Sequence, residues 1–258
     1  MKLSVKYTRL VLSHTLKSLI IVAVLTMTAC SARFDPLPDF KGFQDVKAMK
    51  RAFYAYMLPI VEEQNNDILN QRARLLALRA EFDEAQKLGW LARLRLLDLA
   101  AHYELDDPAM NTAAIIDELT ARIDIVPSDL ALVQAAKESG WGRSRFAVEY
   151  NNLFGHWCYK PGCGAVPKRR PKGESYEVAE FHSVSESVRR YINNLNTHER
   201  YSEFRRLRAL RRASGLPLEG GGLAVGLLGY SQRGEVYIDE LRAMLNANNM
   251  LFKQASAR

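Results

Sequence analysis

The stretch "LVQAAKESGWGRSRFAVEYNNLFG", residues 132–155, begins as a helix of small residues and ends in a turn rich in Gly, Asn and aromatics. Pro127-Ser128 opens that helix, "SDLALVQAAKES", and Gly140 and Gly142 close it. Gln134, Glu138 and Trp141 share one face by i+4 and i+3 spacing, while Leu130, Val133 and Ala136 can face a core. Such a helix buries its stem and presents its last turn to a cleft. Glu138 sits where the partial negative charge of the last carbonyls disfavours an anion, by about 0.3–1 kcal/mol even at an exposed site. Walled by Trp141 and neighbouring aromatics, its carboxyl is pushed toward the neutral, proton-donating form.

On the C-terminal side, residues 155–175 read as irregular, with Cys158, Cys163, three prolines and the run "KRRPK". "YEVAEF" then alternates as a strand of a short hairpin or loop lobe. Helical patterning returns in "SVSESVRRYINNLNT", "YSEFRRLRALRRA", the Gly-broken "EGGGLAVGLLGY" and "EVYIDELRAMLNANNML". On the N-terminal side, residues 43–109 read as a helical extension. Met49, Phe53, Tyr56, Ile60, Ile68, Leu75 and Leu78 are spaced by threes and fours, with Pro59 expected to break or kink the helix. "WLARLRLLDLAAHYEL" and "NTAAIIDELTARI" are further amphipathic helices, in which Trp90 and His102 are expected to pack. The pattern is mainly α, with one small loop or hairpin lobe.

At 258 residues, 48% hydrophobic and 25% charged, the chain has the composition of a globular protein. Lys2, Lys6, Arg9 and Lys17 supply four of its net +7 charges and lie in a head segment without an acidic residue, so nucleic acid is not an expected partner. That head runs into "LIIVAVLTMTAC", too short for a bilayer span of ~20 residues but suited to a signal peptide. "TMTAC" resembles a bacterial lipoprotein signal, which implies a signal peptide over 1–29, a lipid on Cys30 and a tether over 30–42. Ser31 fits the outer-membrane sorting pattern, so the expected location is periplasmic, anchored to the outer membrane; plain cleavage near Ala29 is the alternative. With Cys30 set aside, Cys158 and Cys163 remain as a pair suited to a disulfide in an oxidising compartment. Zinc held with His156 is the alternative, but a fourth ligand is not evident.

The density of "QAAKESGWGRSRFAVEYNNLFG" resembles the glucosaminidase domain of glycoside hydrolase family 73, whose pattern is approximately A-Q-A-A-x-E-S-x-W-G-x-S followed by N-N-L-F-G. "CYKPGCGAVPKRR", "YEVAEFHSVSESVRRYINNLNTHERY" and "GYSQRGEVYIDELRAMLN" are similar to its bacterial Bax-type branch. The resemblance covers residues 110–250 and leaves 251–258 as a tail. It implies a mainly α, lysozyme-like α+β fold, with a loop or hairpin lobe over a glycan cleft. It also implies hydrolysis of a β-1,4 bond beside N-acetylglucosamine, with peptidoglycan strands as the partner and no cofactor or metal. Glu138 matches the family's general acid. A second carboxylate is expected thirty to forty residues later, at Glu177 first and Glu174 or Glu180 behind it, unless the sugar's own N-acetyl group serves.

Gln134, Trp141, Asn151, Asn152, Phe154, Trp157 and Tyr237 are the candidate substrate contacts, and Tyr230 accompanies Tyr237 in the family's late tyrosine segment. Leu153 and Phe154 also suit a core. The arginines between Arg200 and Arg212 suit a solvated helix face, or attraction of acidic stem peptides. Two other readings remain beside the hydrolase: a lytic transglycosylase and a wall-binding lipoprotein without turnover. His182 and His198 lack the nucleophile elbow or metal-spaced partner of other hydrolases.

Overall fold

A computed structural model describes residues 36–168 and 170–257; the signal, the tether's first residues and Cys30 lie outside the described residues. The helices are α1 (Val46–Ala85), α2 (Trp90–His102), α3 (Thr112–Arg122), α4 (Ser128–Ser139), α5 (Arg145–Tyr150), α6 (Val184–Thr197), α7 (Ser202–Ala213), α8 (Gly220–Leu223) and α9 (Glu235–Ser256). Short 3-10 segments, Glu199–Tyr201 and Ala224–Tyr230, precede α7 and follow α8. The strands β1 (Trp157–Cys158), β2 (Gly164–Ala165) and β3 (Glu177–Ala179) lie between α5 and α6. Helices with one small sheet give the mainly α, lysozyme-like α+β architecture expected from the sequence.

The 40-residue α1 starts where the Asp45 carboxylate accepts from the backbone N–H of Lys47 and Ala48. Of the break or kink expected at Pro59, the break does not occur: the helix runs through it. A proline ring removes one hydrogen bond, here to the Ala55 carbonyl, but buried Phe53, Met57, Ile60 and Val61 hold both sides of that point in the core. Because α1 packs on α3, α4, α6 and α9, the residues read as an extension belong to the same compact unit, 36–258, as the rest.

Ala92, Leu96 and Ala100 form the buried side of α2. Trp90 does not pack as expected: it is 77% exposed, because it starts the helix on the side opposite those three. His102 is likewise exposed, its ring 5.0 Å from that of Tyr103. In α4, the small side chains of Ala131, Ala135 and Ala136 let neighbouring helices approach closely, and all three are fully buried. This is what places α4 centrally, between α1 and α9.

The arginines of α7 divide: Arg206 and Arg212 lie on an exposed side of the helix, as a solvated face would have them, whereas Arg205 and Arg208 are buried. Arg208 is fully buried and donates to the carbonyls of Ala121, Arg122, Asp124 and Ile125 and to Asn196 Oδ1, at 2.7–3.1 Å. It thereby satisfies carbonyls that the end of α3 leaves without helical partners. Burial pushes its pKa down to about 10, still ionised at neutral pH. Arg205 reaches the carbonyls of Leu195 and His198, and Arg212 grips both oxygens of buried Asp124. Arg206 pairs with Glu203 in solvent.

The sheet has strand order β1-β3-β2, both pairings antiparallel. Gly164 is required in β2 because a Cβ there would fall 1.9 Å from the Val178 carbonyl oxygen.

Candidate active site around Glu138

The turn after α4 explains most of "ESGWG" in local terms. Ser139 Oγ donates to the Ala135 carbonyl at 2.6 Å and accepts from Gly142 N at 2.7 Å, and Ser144 N donates to the Ser139 carbonyl at 2.9 Å. Gly140, Trp141 and Gly142 all have positive φ, at 58°, 64° and 74°. Glycine accepts this freely, whereas a tryptophan at such an angle costs about 1–2 kcal/mol. The indole offsets that by packing on Phe53 and Tyr54, with ring centroids at 5.5 and 5.7 Å, beneath the Lys50 ammonium at 4.7 Å. Trp141 therefore bolts the turn to α1. Gly142 has a second reason to be glycine, since a Cβ would lie 2.6 Å from the Phe40 ring.

With its neighbours so fixed, Glu138 projects from the last turn of α4 and is exposed to solvent. Its carboxyl is nevertheless crowded enough that burial raises its pKa, against the lowering influence of the Tyr237 hydrogen bond and of Lys137. Accessibility and partial desolvation coexist because one side of the carboxyl is open and the other faces packed aromatics.

Behind it runs a directed chain of hydrogen bonds. Tyr191 on α6 donates to Gln134 Oε1 at 2.6 Å; Gln134 Nε2 donates to Tyr237 Oη at 3.0 Å; Tyr237 donates to Glu138 Oε1 at 3.0 Å. An amide nitrogen can only donate and a hydroxyl has one proton, so the Tyr237 proton is committed to Glu138. Gln134 is fully buried and Tyr237 is 2% exposed, so both act from below the surface. Tyr237 stacks on Tyr230 at 5.6 Å and 9°, and Tyr191 on Phe154 at 4.0 Å and 10°; Tyr230 donates to the Phe154 carbonyl at 3.2 Å. Phe154 is thus part of the packed support, at 3% exposure. Lys137 lies 5.6 Å above the Tyr237 ring and bonds Glu240 at 2.5 Å, while Arg233 holds the same carboxylate. Arg233 and then Lys137 bring the Glu240 pKa down to about 2.

The other sequence candidates build the lobe. Asn151 caps α5 in the left-handed conformation and donates to the Phe181 carbonyl at 3.0 Å. Asn152, 2% exposed, donates to the His156 and Ala179 carbonyls and accepts from His156 N. Cys158 and Cys163 form the expected disulfide, so their sulfurs are bonded to each other rather than available as thiolate ligands. Glu177 lies on β3 opposite Cys158; its Oε1 accepts from Gly162 N at 3.1 Å and its Oε2 from Gly164 N at 3.0 Å. The Gly162 amide foremost, with that of Gly164, holds its pKa below the usual carboxylate range. Glu174 and Glu180 are exposed, and their carboxylates make no hydrogen bond or ion pair among the described residues. Trp157, 51% exposed, stacks on Tyr176 at 4.1 Å and 15° as a flat aromatic face on the lobe.

The structure thus joins Gln134, Glu138 and Tyr237 into one assembly and adds Tyr191 and Glu240. The sequence marked Tyr191 only as a residue of an amphipathic helix, and Glu240 carried no motif. An accessible carboxyl of raised pKa, at the end of the central helix of a lysozyme-like fold, defines the class: a domain built like a glycosidase. The chain belongs to the Glucosaminidase family, described as mannosyl-glycoprotein endo-beta-N-acetylglucosaminidase, whose model matches residues 113–250. It is also similar to Protein bax of Escherichia coli (strain K12), 34% identical over 223 residues, covering 86% of this chain and 77% of that protein. No solved structure matches.

Proposed function

We propose that this protein is a peptidoglycan hydrolase of the endo-β-N-acetylglucosaminidase type, with Glu138 as the general acid for cleavage of a β-1,4 bond beside N-acetylglucosamine. The observation that carries the reading is an accessible Glu138 that burial biases toward its protonated form while Tyr237 occupies one of its oxygens. With Oε1 accepting from Tyr237, the acid proton resides on Oε2, free to pass to the leaving-group oxygen. Trp157 and Tyr176 supply a stacking face for a pyranose ring.

Glu177 has the ionised state expected of the second carboxylate, but both its oxygens are engaged by loop amides. This favours Glu174, Glu180 or the substrate's N-acetyl group for the second role. It also supports the lytic transglycosylase as a second reading, since that reaction activates no water. Fragments of purified peptidoglycan distinguish the two: new reducing ends mark hydrolysis and anhydro ends mark transglycosylation. Glu138→Gln is expected to lose activity about 10²–10⁴-fold while staying folded and binding glycan. Wild-type activity in that variant removes the assignment. Glu177→Gln is expected to retain turnover and loosen the lobe, whereas a loss as deep as that of Glu138→Gln would return Glu177 to the chemistry.

The reading extends to export and anchoring through Cys30, supported by the basic, apolar head ending in "TMTAC". Cys30→Ala is expected to move the protein from the membrane fraction to the soluble periplasmic fraction; retention in the membrane contradicts the lipid.

A further inference from the structure

We infer that Glu240 is a positioning residue for the acid: with Arg233 it ties the Lys137 ammonium to α9 and keeps it off the Glu138 carboxyl, so that Glu138 holds its proton. The inference rests on the reading of Glu138 as a general acid. A lysine directly before that acid is an awkward neighbour, because a nearby cation favours the ionised carboxylate. Its four-carbon stem is flexible, and the Lys137 side chain is only 20% exposed, so solvent screens its charge little. Where the ammonium sits therefore matters to Glu138.

The contacts fix that place. Lys137 Nζ bonds Glu240 Oε2 at 2.5 Å and lies over the Tyr237 ring, 5.6 Å from its centroid. The same tyrosine gives its hydroxyl to Glu138 Oε1 at 3.0 Å. Cation and acid thus share one aromatic ring, the first at its face and the second at its hydroxyl, and among the described residues no ion pair joins them. Arg233 completes the tie: Nη1 donates to Glu240 Oε2 at 2.8 Å and Nη2 to Oε1, which sets the plane of the carboxylate. With its pKa at about 2, Glu240 is a constant counter-charge throughout the range in which Glu138 titrates.

The other groups around Glu138 do not take over this part. Tyr237 on α9, Tyr191 on α6 and Tyr230 in the 3-10 segment face it, and burial raises all three phenols, which stay uncharged. On α1, Lys50 is held over the Trp141 indole, and α8 carries no ionisable side chain. Lys137 is the cation that acts on Glu138, in the direction of ionisation.

The test titrates Glu138 on the full chain by carbon NMR of labelled glutamate carboxyls, its signal identified by its loss in Glu138→Gln. In Glu240→Gln the released ammonium is expected to move the titration midpoint to lower pH, by about 0.5 or more. Lys137→Met is expected to move it to higher pH. Glu240→Gln added to Lys137→Met is expected to move it less than half as far as Glu240→Gln does alone, and Glu240→Asp, which keeps the charge, to restore most of the difference. A midpoint that Glu240→Gln leaves in place, or moves as far without Lys137 as with it, overturns the proposal. So does a midpoint that Lys137→Met leaves in place. The titration reads no turnover, which separates this proposal from the hydrolase reading: the stated shifts in a protein that cuts no peptidoglycan uphold the tie and remove the enzyme. Where peptidoglycan is cut, the alkaline limb of the pH–rate profile follows the same shifts.

Discussion

Glu138 is held by opposed influences, and their balance sets its protonation. Burial raises its pKa, while the Tyr237 hydroxyl stabilises the ionised form. A general acid is active while protonated, so activity should fall as pH rises through that raised value. Removing the Tyr237 hydroxyl removes a donor to the anion and raises the pKa further. Tyr237→Phe is therefore expected to move the alkaline limb of the pH–rate profile upward. The maximum rate should drop, because neither oxygen is then reserved for the proton. An unshifted limb, measured on soluble glycan fragments, would show that Tyr237 only packs. Gln134 has no direct contact with Glu138, yet it orients the hydroxyl that does.

At the scale of elements, hydrogen-bonding side chains complete what helices leave unsatisfied at their ends. Arg208 of α7 does this for the end of α3 and the segment leading to α4. Truncating it strands several buried carbonyls, so Arg208→Ala is expected to cost about 3–5 kcal/mol. Arg206, two residues earlier and paired with Glu203 in solvent, provides the contrast: Arg206→Ala should leave stability close to wild type, because a solvated pair adds little. Urea unfolding of the two variants checks the contrast, and comparable losses would mean that Arg208 does not carry the α3–α4 junction. The disulfide loop follows similar logic, with Glu177 collecting the amides of Gly162 and Gly164 that the tight turn turns inward.

At the scale of the molecule, the family match begins at residue 113, but the core does not. Phe53, Met57, Ile60 and Val61 of α1 are buried, and Phe53 and Tyr54 seat Trp141 beneath the turn that follows Glu138. Residues 36–258 are thus expected to unfold in one cooperative transition, and residues 110–258 alone to give no cooperative transition in calorimetry. A sharp transition from the shorter chain would make α1 an accessory rather than a wall of the core.

The sequence by itself determined the helical class, the limits of α4 at Ser128 and Ser139, the pairing of Cys158 with Cys163 and the identity of Glu138 as the residue to examine. These are local properties: capping residues, glycines at positive φ, apolar spacing and a dense motif all act within a few turns of chain. Tertiary structure decided that Pro59 would not break α1, because packing on both sides outweighs one lost hydrogen bond. It also turned Asn152, Arg205 and Arg208 into internal hydrogen-bonding groups, and left Trp90 in solvent. The chain Tyr191–Gln134–Tyr237–Glu138 joins positions up to 103 residues apart, with the Gln134–Tyr237 bond the most distant. Such a chain exists only once α4, α6 and α9 meet, because a hydrogen bond needs its partners within about 3 Å and periodicity along one segment carries no information about the segment it will face.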